Sequence, residues 1–303
     1  MTTIELRSVS RWYGNVVAVN DITMSIGPGV TGLLGPNGAG KTTILHMIAG
    51  FLMPSRGEIT VAGRGSWRNP AMFRRVGVVP ERDSVYAFLT GTEFVTATAK
   101  LHGLPDPAAA AERAIGLLEM TEAQNRRIST YSKGMRQRIK VAAALVHDPE
   151  IVLLDEPFNG MDPRQRLHMM DLLQAQGEQG RVIVFSSHIL EEVERVAGII
   201  QVIVGGRLAA SGDFRAIRRL MTNRPHVFLV RSGDDRALGA ALIGRPSVSA
   251  VELTTHGLQV RSSDYGTFTR EIAGISRDHG IRLTQVLPAD ESLESVFTYL
   301  LAS

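Results

Sequence analysis

The sequence predicts an α/β chain in two parts. The first is a largely parallel sheet flanked by helices, with an antiparallel β region and a helical insertion. The second is a small α+β unit of ferredoxin-like order. Three observations carry this reading. At 303 residues the chain is long for one compact domain and comfortable for two of about 100–200 residues each. Apolar runs rich in Val, Ile and Leu alternate with amphipathic stretches at helical spacing, the order that builds parallel sheets. A break at residues 221–225, MTNRP, separates this pattern from a shorter one that starts afresh. The boundary is placed between 1–220 and 221–303.

Residues 4–31 read as short β-rich segments broken by Gly and Pro, ending in the apolar run Val30-Thr31-Gly32-Leu33-Leu34. A glycine-rich loop follows. Ile44, Leu45, Met47 and Ile48 then have helical spacing, with a stop near Gly50 and Pro54. Strands resume at Gly57–Ala62 and Arg75–Val79. From about 84 to 150 the chain turns Ala- and Leu-rich, with helices expected over Thr92–His102, Pro107–Glu119 and Lys133–His147. Strands Ile151–Leu154 and Arg181–Ser186 flank an amphipathic helix near Pro163–Gln176. The C-terminal part reads strand His226–Arg231, helix Arg236–Ile243, strands Val248–Leu253 and Leu258–Ser262, helix Tyr265–His279 and strand Ile281–Leu287. That βαββαβ order is ferredoxin-like, with one extra helix at Ser292–Leu301.

Hydrophobic residues at 44 % and charged residues at 21 % are ordinary globular usage, which excludes a disordered or fibrous chain. The absence of cysteine excludes disulfide frameworks, thiolate nucleophiles and Cys-ligated metal sites. The apolar stretch Ala197–Gly206 is well short of the ~18–20 residues a spanning helix needs. The opening MTTIELRSVS lacks the apolar segment of a signal peptide. The chain is thus expected to be soluble, with any membrane role depending on a partner. A net charge of +3 and a pI near 9.4 do not by themselves point to nucleic acid. The bases are 29 Arg against 4 Lys. Clusters such as Arg215, Arg218 and Arg219, or Arg126 and Arg127, lack interleaved aromatics and read as solvated faces, so no direct nucleic-acid contact is expected.

Gly35-Pro36-Asn37-Gly38-Ala39-Gly40-Lys41-Thr42 matches the phosphate-binding loop pattern, with a strand before it and a helix after it. Such glycines let successive N–H groups point at phosphate oxygens, at the positive end of the helix. Lys41 would reach the β- and γ-phosphates, the Thr42 hydroxyl would hold Mg²⁺, and Thr43 continues the cradle. Ile151–Leu154 is an apolar strand ending in two acids: Asp155 is placed to support Mg²⁺ and Glu156 to polarise an attacking water. Two acids after a strand are also what a solvated strand end or helix cap looks like. The phosphate loop upstream favours the catalytic reading.

Between these sites lies Tyr131-Ser132-Lys133-Gly134-Met135-Arg136-Gln137-Arg138, and beyond them Ser186-Ser187-His188 ends the next strand. The ordered set resembles the ABC ATPases over about Ile4–Leu220. That resemblance implies ATP and Mg²⁺ as ligands and a head-to-tail homodimer with each nucleotide sandwiched between the two subunits. It further implies that Tyr13 stacks on adenine, that Ser132 and Gly134 touch the γ-phosphate from the opposite subunit, and that Asn159–Asp162 links the two sites. His188 becomes the γ-phosphate sensor, and Glu81 stands where a glutamine is usual, with Mg²⁺ through water as one role for it. Arg136 and Arg138 serve the signature helix.

The usual LSGGQ signature appears as YSKGM. That change and Glu81 resemble the ATPases of ABC-2 type exporters, including those for antibiotics, as does Asp290–Phe297 near the C-terminus. The implied partner is a separate integral-membrane permease, which places the protein peripherally on the cytoplasmic face of a bacterial cell membrane. The permease groove is expected along a helical stretch from about Ser84 to Gly103, where Val85, Tyr86, Phe88 and Leu89 are more apolar than a solvated loop needs. The alternative is a non-transport ABC protein with a regulatory, nucleic-acid or ribosome-associated role. Chromosome-type members need a long coiled coil between the phosphate loop and the signature, whereas Lys41 and Ser132 are 91 positions apart. Repair-type zinc modules need cysteines, and ribosome-type members have two cassettes.

Overall fold

The computed structural model describes residues 3–82, 84–213, 226–255 and 257–288. The chain divides into two units, Met1–Phe214 and Arg215–Ser303. The expected boundary at 220, the basic cluster Arg215, Arg218 and Arg219, the segment Asp290–Phe297 and the expected helix Ser292–Leu301 lie outside the described residues.

In the first unit, β1 (Ile4–Tyr13) and β2 (Val16–Ile26) form a hairpin, and β4 (Arg56–Val61) and β5 (Arg64–Gly65) extend it into an antiparallel sheet of order β2-β1-β4-β5. Alternate residues such as Ile4 and Leu6 or Ile59 and Val61 are buried, the period-2 signature of a sheet with one covered face. The larger sheet contains β3 (Gly29–Leu34), β6 (Val76–Val79), β7 (Ile151–Asp155), β8 (Val182–Ser187), β9 (Ile199–Val204) and β10 (Arg207–Gly212). Its order is β10-β9-β3-β8-β7-β6. All pairs are parallel except β9 with β10. Every residue of β7 and β8 is buried, which is why their sequences are continuous apolar runs.

Helix α1 (Lys41–Ile48) shares one core with both sheets: Ile44, Met47 and Ile48 pack in the same cluster as Ile4, Leu6, Leu33, Ile151 and Val184. Each such fully buried aliphatic contributes about 1.5–3 kcal/mol. A short α2 (Pro70–Phe73) precedes β6. The helical insertion contains α3 (Gly91–Leu101), α4 (Pro107–Leu117) and α5 (Lys133–Leu145). Helices α6 (Pro163–Glu178) and α7 (Leu190–Val196) flank β8. Helix α5 lies flush on β6, because a Cβ at Gly77 would sit 2.3 Å from the Ala144 carbonyl oxygen. No helix among the described residues is long and apolar enough to cross a membrane.

One expectation is corrected. The stretch from Ser84 is not helical until Gly91; residues 84–89 form turns and bends. Thr90 explains the late start. Its side chain accepts from the Glu93 N–H at 3.1 Å, and the Glu93 carboxylate accepts from the Thr90 N–H at 2.8 Å. This capping box satisfies two orphan donors and sets the first turn of α3. The residues before it are instead held by backbone bonds from Ile128 N–H to Leu89 O and from Ser129 N–H to Ala87 O.

The second unit pairs β12 (Val248–Thr254), β13 (Gly257–Ser262), β11 (His226–Ser232) and β14 (Leu283–Pro288) in that order, all antiparallel. With α8 (Asp235–Ile243) and α9 (Tyr265–Asp278) this is the ferredoxin-like arrangement. Leu238 and Leu242 of α8 and Phe268, Ile272 and Ile275 of α9 recur at helical spacing and meet Phe228, Val230, Leu258 and Val260. Asp234 and Asp264 cap the two helices, each accepting from the backbone three residues on at 3.0 Å.

The His147 ring, just past α5, stacks on His102 at the end of α3, with centroids 3.6 Å apart and planes 6° from parallel. Burial first, and the neighbouring imidazole second, push His147 down to about 4, with Asp148 and the Val76 carbonyl opposing. An unfolded histidine titrates near 6.5, so between about 6.5 and 4 the unfolded chain binds the extra proton. The contribution is therefore complete above pH 6.5 and lost as pH falls through that window. Thermal melts should show Tm dropping by several degrees from pH 7 to pH 5, and His147→Gln should flatten part of that slope.

Candidate active site

Parallel register brings the site together. Leu34 at the end of β3 pairs with Ser187 of β8, and Asp155 at the end of β7 pairs with Ser186. The Gly35–Thr42 loop, the Asp155-Glu156 pair and Ser187-His188 therefore leave the sheet side by side at its carboxyl edge, where open α/β sheets hold ligands. A cleft of about 360 Å³ opens there, lined by Ala18, Asn37, Gly38, Gly40, Lys41, Thr42, Thr43, Glu81 and Glu156 among others. Gly40 caps α1 with φ 103°, and a Cβ there would meet the Ala18 carbonyl oxygen at 2.4 Å. Only glycine accommodates that conformation and that approach.

Within the cleft, Lys41 Nζ donates to the Gly35 carbonyl at 2.7 Å and the Pro36 carbonyl at 3.2 Å, and lies 3.7 Å from Glu156 Oε1. Burial pulls the Lys41 ammonium below its ordinary range, while Glu156 and then Asp155 push back. Glu156 is itself buried, with φ 50°, a left-handed conformation that costs a non-glycine residue about 1 kcal/mol or more. Its N–H is fixed by Ser186 Oγ at 2.9 Å, and His188 Nδ1 lies 3.0 Å from both carboxylate oxygens. Ser186 Oγ donates in turn to Asp155 Oδ1 at 2.5 Å. The other Asp155 oxygen, Oδ2, is buried with no hydrogen-bond partner among the described residues. A buried carboxylate oxygen without a donor suits a cation.

A second layer supports His188. Ser187 Oγ donates to Glu192 Oε2 at 2.6 Å, Glu192 Oε1 lies 3.7 Å from Arg166 Nε, and burial raises the Glu192 carboxyl despite the serine bond. Sequence reasoning singles out neither Glu192 nor Ser186, the bridge between the two acids. The Ser-Ser doublet before His188 was the available signal.

The remaining expected residues lie elsewhere. Tyr13 ends β1, 47 % exposed, with the Arg11 guanidinium 4.8 Å above its ring, and it does not line the cleft. Ser132 caps α5, accepting from the Met135 N–H at 3.2 Å, and is exposed. Gly134, one residue into that helix, packs against the loop after Glu156: a Cβ there would meet Gln165 Oε1 at 2.7 Å and Gly160 O at 2.9 Å.

Comparison with known proteins gives a consistent result. A family model described as "ABC transporter" matches residues 19–159. The chain is 30 % identical to the linearmycin resistance ATP-binding protein LnrL of Bacillus subtilis, over 98 % of this chain and 97 % of that one. It is 32 % identical to the bacitracin transport ATP-binding protein BcrA of Enterococcus faecalis, over 98 % and 96 %. It is 31 % identical to the daunorubicin/doxorubicin resistance ATP-binding protein DrrA of Streptomyces peucetius, over 98 % and 92 %. Among solved structures, an ATP-binding subunit of an ABC transporter superposes with a TM-score of 0.66 at 28 % identity, covering 72 % of this chain and 92 % of its own.

The glycine at position 40 offers a direct test of the loop's construction. Gly40→Ala adds both a strained φ and a backbone clash, and should cost about 3 kcal/mol in denaturant unfolding. Gly63→Ala, where φ is 74° and the space around it is open, should cost about 1 kcal/mol.

Proposed function

Because this chain belongs to the ABC transporter ATP-binding proteins, and as such hydrolyses ATP, we propose that it is the energy-coupling subunit of an ABC-2 type exporter. Relatives matched over nearly their whole length, the C-terminal unit included, are named for resistance to or transport of linearmycin, bacitracin and daunorubicin. Their names support an exporter of amphipathic antibiotic-like compounds. Residues 1–220 form the ATPase domain in this reading, with 221–303 as an accessory domain. The single observation that carries the chemistry is the buried Glu156 carboxylate, held between Lys41 and His188 beside the unpartnered Asp155 Oδ2.

The cradle of Asn37, Gly38, Gly40 and Thr43, with Lys41, takes the polyphosphate. Lys41 exchanges its contact with Glu156 for phosphate oxygens, which frees the carboxylate to face a water. Glu156 orients that water and accepts its proton as the water oxygen bonds to the γ-phosphorus and the bond to the bridging oxygen breaks, leaving ADP and phosphate. His188 steadies both Glu156 and the γ-phosphate. The Thr42 hydroxyl and Asp155 Oδ2 would hold Mg²⁺, which when bound neutralises charge on the β- and γ-oxygens. Glu81, which also lines the cleft, would reach the ion through water. Tyr13 stacks on adenine, and Ser132 and Gly134 serve the nucleotide of a second copy in a head-to-tail dimer.

The dimer's closure passes to a separate integral-membrane permease, which holds the protein at the cytoplasmic face of the membrane. The exposed rings of Tyr86 and Phe88, 60 % and 71 % accessible and 5.9 Å apart, support docking just before α3. Glu156→Gln should retain ATP binding while kcat falls by about 10²–10⁴; unchanged turnover would remove Glu156 from the mechanism. The same variant, loaded with MgATP and purified in mild detergent, should bring down a polytopic membrane protein; recovery of ribosomal or DNA-associated partners alone would overturn the exporter reading. Tyr86→Ala with Phe88→Ala should weaken that capture and leave nucleotide affinity intact.

A further inference from the structure

Lys140 lies two turns into α5 with 4 % of its surface exposed. Its ammonium leaves the helix and donates to the carbonyls of Pro80 at 2.7 Å, Arg82 at 3.2 Å and Glu81 at 3.4 Å. Three successive carbonyls on one ammonium are a clamp on a turn, since an ammonium has three donors and no acceptor. The clamped turn carries the Glu81 side chain, which lines the cleft together with Lys41, Thr42 and Glu156. It lies close enough to raise the Lys41 ammonium electrostatically. The helix that supplies the clamp is the one capped by Ser132, and it is pressed onto β6 where Gly77 meets Ala144.

We infer that Lys140 is a positioning residue, which sets the Glu81 carboxylate in the nucleotide cleft from the same helix whose N-cap, Ser132, meets the opposite nucleotide. This rests on the dimeric ATPase reading above and adds a physical link to it. Any shift of α5 as Ser132 engages the second subunit's nucleotide moves the Lys140 clamp, and with it Glu81 in the first site. A Lys at this position and an acid at 81 then form a functional pair that is 59 residues apart in sequence.

The test is a double-mutant cycle of Lys140→Met and Glu81→Gln, read in three ways on the full-length protein. Amide hydrogen exchange in the 80–82 turn of nucleotide-free protein should quicken at least fivefold in Lys140→Met, while α1 amides stay unchanged. Turnover should fall about tenfold in Lys140→Met, with affinity for a fluorescent ATP analogue within twofold of wild type, and Lys140→Arg should recover most of the loss. In the Glu81→Gln background, Lys140→Met should change kcat by less than twofold. Unaltered exchange in the turn overturns the clamp. An equal kcat loss in both backgrounds, or a joint collapse of affinity and Tm, reduces Lys140 to a packing residue and overturns the inference. Lys140→Gln provides the same cycle should the methionine variant not fold. Wild-type turnover with loss in Glu156→Gln checks the ATPase reading separately, and the exchange measurement stands without it.

Discussion

A carboxylate taken out of water must find cations or donors, or cease to be charged. Glu156 meets that demand with Lys41 on one side and His188 on the other, and it can do so only because three strands end in register. Lys41 opens α1 after the loop that leaves β3, Glu156 directly follows β7 and His188 directly follows β8. A slip of one residue between any two of these strands would carry one partner to the wrong face of the sheet. The fully buried β7 and β8 guard against that slip, since either would then place a charge in the apolar core. The arrangement of Lys41, Glu156 and His188 is thus a property of sheet register before it is a property of any loop.

The cleft is electrically self-contained. Lys41 is satisfied by two carbonyls and a carboxylate, and Glu156 by an ammonium and an imidazole. In the mechanism proposed above, a polyphosphate entering the cleft competes with Glu156 for Lys41. Such an exchange would tie readiness for hydrolysis to occupancy, with the carboxylate released as phosphate takes its place.

What the sequence made legible was contiguous. The loop from Gly35 to Thr42 and the pair Asp155-Glu156 are local patterns whose geometry follows from a few adjacent residues. The helix at Lys133 could likewise be read from Ser132 and the apolar spacing behind it. Tertiary contacts were not legible: nothing in the run around Lys140 announces that its ammonium reaches three carbonyls near residue 81. The stretch before α3 reads as helix only through the Ala- and Leu-rich character of the insertion as a whole, while the Thr90 and Glu93 capping pair marks the true start. The hairpin of β9 and β10 was seen only as an apolar run, although Gly205-Gly206, with φ of 53° and 77°, supplies the turn.

The four residues from Tyr86 to Leu89 are pinned to Ile128 and Ser129 by main-chain bonds, which are indifferent to the side chains they carry. Their aromatic rings can be exchanged by mutation without altering the sheet register that brings Lys41, Glu156 and His188 together. In the exporter reading proposed above, such a loop is an address written on an engine. On that reading, after gene duplication a daughter chain could diverge in this short stretch alone and be redirected to another membrane protein, its ATP chemistry inherited whole.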